Sequence, residues 1–235
     1  MSATAPQLQK DIDAIATEVL ELELLSLPKQ GAFSCAVQRF FEISLALVAI
    51  ILSAPAILAV GLIIWRGTPG PVLFRQKRLG KDARPFRFTK FRTLYADARQ
   101  RWPELYAYNY TDREMENFTF KIKHDPRVTP QGVWLRKSTL DELPNFWNVL
   151  TGEMALVGPR PEIPEMLRYY KGEGLLKFKV RPGVTGLAQV SGRGGLSFKE
   201  TVRLDVEYVK TRSLWLDVKI LAKTAIRIIT REGAF

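Results

Sequence analysis

The chain has 235 residues, 35 Lys and Arg against 24 Asp and Glu, and a net charge of +11; 46% of its residues are hydrophobic. That hydrophobic share supports a real core and excludes global disorder, while the charge points to a polyanionic partner. One cysteine, Cys35, excludes an intrachain disulfide framework and a multi-cysteine zinc site, and the single His124 argues against histidine-rich metal centres.

Residues 7–27 carry Leu8, Ile12, Ile15, Val19, Leu22 and Leu25 at helical spacing with acids between them, closed by Pro28 and Gly31. Residues 40–65 are apolar apart from Glu42. As a straight helix they would reach about 39 Å, enough to cross a bilayer. Pro55 removes a backbone donor and should kink or break that helix, and Ser53 can bond back to a carbonyl and deepen the bend. Two topologies follow: a kinked spanning helix or a re-entrant hairpin. Residues 66–101 hold 11 basic groups against Asp82 and Asp97, which places this flank in the cytoplasm.

After the turn cluster Gly67–Pro71, two period-two stretches flank residues 80–85 and predict a β-hairpin. The aromatic residues of 94–120 suit either a core or an interfacial belt. His124, in Lys-His-Asp-Pro, reads as a solvated turn residue. Residues 139–150 and 161–171 are expected as short helices, and 198–231 as two. In the last, Lys219, Lys223, Arg227 and Arg231 form a basic stripe beside apolar positions, which fits a helix lying in an anionic membrane surface.

The chemistry concentrates at Asp141-Glu142 and Gly158-Pro-Arg-Pro161. Thr139 to Glu142, or Ser138 to Asp141, matches a capping box, so the acids could simply start a helix. In the functional reading, the helix dipole holds Asp141 as an anion able to attack phosphorus, and Glu142 binds magnesium. Arg136 and Arg160 are placed to clamp phosphates, with Lys90 and Arg92 as further cations. The glycine-rich stretches 181–186 and 191–195 read as phosphate or sugar loops, or as turns alone. Walker A and Rossmann fingerprints are absent from the sequence.

These motifs together resemble the bacterial sugar transferase family, the small monotopic polyprenyl-phosphate phosphoglycosyl transferases. The resemblance covers residues 38–235. It rests on the helix with Pro55, on Gly70–Gly80, Lys90–Thr93, Asp125–Arg127, Leu140–Pro144, Trp147–Gly152, Leu156–Pro161, Arg181–Gly186 and Leu204–Tyr208. It implies transfer of a phosphosugar from a UDP-sugar to undecaprenyl phosphate, releasing UMP. This would be the first membrane step in making an exopolysaccharide, capsule or O-antigen. By resemblance Asp141 is the nucleophile and Glu142 the magnesium ligand. Lys90, Arg136 and Asp205 match positions associated with activity, and Pro159-Arg160-Pro161 the turn associated with nucleotide-sugar binding.

The expected fold is α+β and mainly helical: an N-terminal helical extension (1–37), a re-entrant helix-break-helix (38–66) and a cytoplasmic catalytic domain (67–235). Anionic lipids are expected partners and a homodimer is left open; nucleic acid is not expected, since no reading motif is present. The competing reading is a non-catalytic membrane scaffold that retains the fold. Here Ala54 separates Ser53 from Pro55, where the family commonly has Ser-Pro, and His124 stands where an acid is frequent.

Overall fold

The computed structural model describes residues 5–22, 31–119, 122, 124–192 and 195–230. Pro28, Arg231 and part of the 191–195 glycine stretch, all invoked above, lie outside the described residues.

Helix α1 (Ala5–Glu21) is amphipathic as its spacing predicts. It is no loose appendage: Ile12 and Val19 are buried with Met115, Ile163, Met166 and Leu167, and Lys179 Nζ donates to Val19 O at 2.9 Å.

Helix α2 (Ala32–Gly67) carries the apolar stretch through Pro55 as one continuous element. The helix is not divided into two elements at Pro55, where the sequence allows a kink or a break. Ser53 Oγ does bond back to Ala49 O at 2.6 Å, as its position before the proline allows. Only 11% of the most apolar window is buried, so α2 is not a core helix of the body. Its two ends nevertheless seat on that body. Near the start, Gln38 donates to Asp217 Oδ2, Arg39 to Leu150 O, and Glu42 lies 2.8 Å from Arg181. Those partners explain the lone acid in the apolar run. Near the end, Val60 and Ile64 pack on Phe91 and Leu135. Residues on both sides of the apolar middle thus pack against one body.

Strands β1 (Leu73–Leu79) and β2 (Pro85–Phe91) form the predicted antiparallel hairpin, with Phe74 opposite Lys90 and Leu79 opposite Pro85. Short helices α3 (Ala98–Arg101) and α4 (Asp112–Glu116) punctuate the aromatic segment. Tyr108, Tyr110 and Phe118 pack on the core cluster that α1 joins, so these residues serve the core reading. His124 is exposed in a turn, as expected.

Helix α5 (Pro130–Ser138) is N-capped by Thr129 with Pro130 at its first position. The single helix expected over 139–150 is split. Leu140–Glu142 makes one 3-10 turn and α6 runs from Asn145 to Leu150, with Pro144 between them. Residues 161–171 hold a 3-10 helix, Pro164–Tyr169, rather than an α-helix.

A pair of three-residue strands, β3 (Ala155–Val157) and β4 (Gly183–Thr185), runs parallel in the core. Helix α7 (Leu187–Gly192) follows. Then α8 (Phe198–Thr211), opened by a Ser197–Glu200 capping box, and α9 (Leu214–Thr230) form the two expected C-terminal helices. On α9, Ile220 faces the core, whereas Trp215, Val218 and Ile226 are exposed beside Lys219 and Lys223. That helix offers apolar surface away from the core, flanked by cations.

Candidate active site

Asp141 owes its place to an unusual turn. Helix α5 ends at Ser138, and Thr139 takes a left-handed conformation (φ 63°) that redirects the chain into the 3-10 turn. Neither expected capping box forms: Ser138 Oγ donates to Leu135 O, and the Thr139 side chain makes no cap bond. A single 3-10 turn has almost no aligned dipole to offer. What faces the buried Asp141 is a side chain instead: Lys90 Nζ, from the end of β2, lies 3.8 Å from Asp141 Oδ2.

The electrostatics follow from burial. Loss of solvent pushes the Asp141 carboxyl above its ordinary value, against the pull of Lys90 and, less strongly, of Arg160 and Arg136. The same burial lowers Lys90 to about 8 despite Asp141 beside it. For Glu142, burial works upward. Arg160, bonded to it at 2.8 Å, wins and holds it below the usual range. The main opposing charge is thus a lysine at one acid and an arginine at the next.

Arg160 reaches Glu142 from the Gly158–Pro161 turn, whose backbone is tied on both sides. Gly183 N donates to Pro159 O, and Arg78 Nη1 donates to Pro161 O. Glycines make this crossing possible: a Cβ on Gly183 would stand 2.1 Å from Gly158 N, and one on Gly186 2.1 Å from Gly158 O. The glycines of 181–186 therefore serve backbone packing under the turn.

Arg136, on α5, is held by Thr93 Oγ1 (3.2 Å from Nε) and by Asp125 (3.7 Å from Nη1). Asp125 is in turn gripped by Arg127, whose bonds overcome burial and keep its carboxyl below the usual value. Thr93 and Asp125 carry no role in the sequence reading. Spacing gave no signal that Asp125 steadies an arginine eleven residues on.

Two expected site residues lie elsewhere. Arg92 is buried, and its guanidinium donates to Pro71 O, Pro69 O and Thr68 O at 2.7–2.8 Å. It staples the loop that leaves α2, so its donors are already committed to carbonyls. Asp205, on α8, pairs with Lys177 at 3.2 Å in a separate buried network. Lys90, Arg136, Asp141, Glu142 and Arg160 are the residues the fold brings together. Trp134 on α5 and Trp147 on α6 are exposed nearby in the chain, adding apolar surface to the elements that flank the acids.

Among the described residues there is no group of three His, Cys, Asp or Glu that could hold a metal by itself. Asp141 and Glu142 supply two carboxylates. Magnesium bound through one or two carboxylates, with substrate phosphate and water completing its shell, suits such a pair.

A profile for bacterial sugar transferases matches residues 33–231. The chain is 40% identical over 198 residues to the UDP-galactose-lipid carrier transferase of Erwinia amylovora, covering 84% of this chain and 41% of that protein. It is 36% identical over 209 residues to the UDP-glucose:undecaprenyl-phosphate glucose-1-phosphate transferase of Escherichia coli K12, covering 84% and 41%. Exopolysaccharide production protein ExoY of Rhizobium meliloti is 35% identical over 198 residues, covering 84% and 88%. The chain spans about two fifths of the length of the first two relatives, and nearly all of the third. With a matched profile over most of its length, the chain belongs to the bacterial sugar transferase family.

Proposed function

We propose that this chain is a phosphoglycosyl transferase that moves a phosphosugar from a UDP-sugar to undecaprenyl phosphate. The observation that carries the reading is the buried Asp141 facing Lys90, with Glu142 and Arg160 paired beside it. A carboxylate oxygen of Asp141 attacks the sugar-bearing phosphorus of the donor. The bond from that phosphorus to the bridging oxygen breaks, and UMP leaves with the electron pair. An oxygen of undecaprenyl phosphate then attacks the same phosphorus. The aspartyl–phosphorus bond breaks, the Asp141 carboxylate returns, and the product carries the sugar on a diphosphate. As anions, the Asp141 carboxylate and the lipid phosphate attack without a separate base.

Lys90, Arg136 and Arg160 would meet the donor phosphates. They offset the repulsion between an acidic nucleophile and two anionic substrates. Glu142, with Asp141 beside it, would hold magnesium. Bound there, the ion would neutralise charge developing on the phosphoryl oxygens. Pro159 and Pro161 hold Arg160 in place on either side.

The seating of both ends of α2 on one body supports a monotopic topology. In it the apolar middle enters one leaflet, and α1 and the catalytic body stay on the cytoplasmic face. The exposed apolar side of α9 and its lysines would rest on anionic lipid. Purified protein with magnesium should release UMP from a suitable UDP-sugar when undecaprenyl phosphate is present. Asp141→Asn should abolish release while the protein stays folded; full activity in that variant would end the assignment.

A further inference from the structure

Asp205 stands apart from the acid–arginine cluster, yet its contacts lead back to it. Its carboxylate is buried 3.2 Å from Lys177 Nζ. Lys177, itself buried, donates to the Tyr170 hydroxyl at 2.9 Å, and Tyr170 donates to Glu162 Oε2 at 2.7 Å. Lys177 is also 3.9 Å from Glu162, and Arg78 lies 4.0 Å from its other oxygen. Two acids and two cations are thus balanced, with Asp205, Lys177 and Glu162 buried and Arg78 partly exposed. Such an arrangement is a poor source of stability compared with apolar packing.

Its point of contact with the site is Glu162, the residue after Pro161. The Glu162 carbonyl accepts from Leu79 N at 2.8 Å, and its side chain accepts from Ile163 N. Arg160 is separated from this anchor by one proline and preceded by another, and each proline fixes its own φ. With so little slack between them, a shift at Glu162 passes to the Arg160 guanidinium.

We propose that Lys177, Tyr170 and Asp205 are positioning residues: they fix Glu162, and through the Pro-Arg-Pro turn they set where Arg160 meets the donor diphosphate, without touching substrate themselves. The proposal rests on the reading of Arg160 as a donor-binding residue.

The test is a double-mutant cycle against Arg160→Lys, a change that keeps the charge and loses the fork. Full-length protein in detergent is assayed for kcat and donor KM by UMP release, and for UDP affinity by calorimetry. Lys177→Met should raise donor KM about ten-fold and Tyr170→Phe about three-fold, with kcat changed less than about three-fold. In the Arg160→Lys background each should add less than about two-fold, because the route through Arg160 is already lost. Asp205→Leu combined with Lys177→Met should return KM to within about three-fold of the parent, since it removes an acid together with its cation. If Lys177→Met does not fold, Tyr170→Phe, which keeps the ring and its packing, carries the cycle. Effects that multiply in the Arg160→Lys background, or loss of kcat at unchanged KM in Asp205→Asn, overturn the proposal. A parent that neither turns over nor binds UDP sinks the transferase reading, and this proposal with it. A parent that does both while the cycle multiplies sinks the proposal alone.

Discussion

Lys90 gives the site its sharpest pH signature. Burial lowers it from 10.5 to about 8, against the opposing charge of Asp141 at 3.8 Å. If its positive charge is needed to meet the donor, activity should fall as pH rises through about 8, with about one tenth of the molecules still protonated at pH 9. Stability should move the other way. Below pH 8 the folded protein bears the full cost of a buried ammonium. Between about 8 and 10.5 the folded state gives up a proton that the unfolded chain retains, so this group adds up to about 3 kcal/mol of stability over that range. Activity lost without unfolding is thus the expected pattern. It is read by parallel UMP-release and thermal-unfolding series from pH 6 to 10. Lys90→Arg stays charged throughout and should lose the alkaline limb. Lys90→Met should be weakly active at every pH. A fall near pH 8 that persists in Lys90→Arg would show that another group sets it, and would refute the role given to Lys90.

Three further outcomes follow from the contacts. Arg92→Ala should destabilise the protein by about 3 kcal/mol in urea unfolding, since three short charge-assisted bonds are lost, partly replaced by water, while donor KM in the surviving folded fraction stays unchanged. Unchanged stability with a raised KM would return Arg92 to the substrate. Gly183→Ala puts a methyl 2.1 Å from Gly158 N and should leave little folded protein, as judged by yield and circular dichroism, whereas Gly31→Ala meets nothing within 4 Å and should fold normally. Cys35 is exposed at the start of α2, so in the monotopic topology an impermeant thiol reagent should label it in broken cells and not in intact ones. Labelling of intact cells would contradict that topology.

How much of this was legible in the sequence depends on the scale of the signal. The hairpin followed from two period-two stretches around a turn, and α8 and α9 from sustained helical periodicity. The β3–β4 pair was not legible, because three-residue buried strands carry no measurable alternation. The capping box failed for a local reason. Thr139 adopts a left-handed backbone that its residue type disfavours, so the pattern was present and the helix was not. Pro55 signals a kink or a break in α2, and the helix runs through it as one element. At the site, Arg92 and Arg136 looked equivalent as cations near the acids. Only the fold separates them, one turned onto loop carbonyls and the other held by Thr93 and Asp125. Asp205 was picked out by resemblance, but its partner Lys177 belonged to no motif and became visible through burial alone.

The proposed mechanism turns on a covalent phosphosugar on Asp141. Intact-protein mass spectrometry after incubation with magnesium and a turnover-competent UDP-sugar, with the lipid acceptor withheld, tests it directly. The expected result is an adduct of one phosphosugar that maps to the peptide containing Asp141, disappears on addition of undecaprenyl phosphate, and is absent in Asp141→Asn. Rapid turnover with no adduct under any quench, or an adduct that survives in Asp141→Asn, would contradict it.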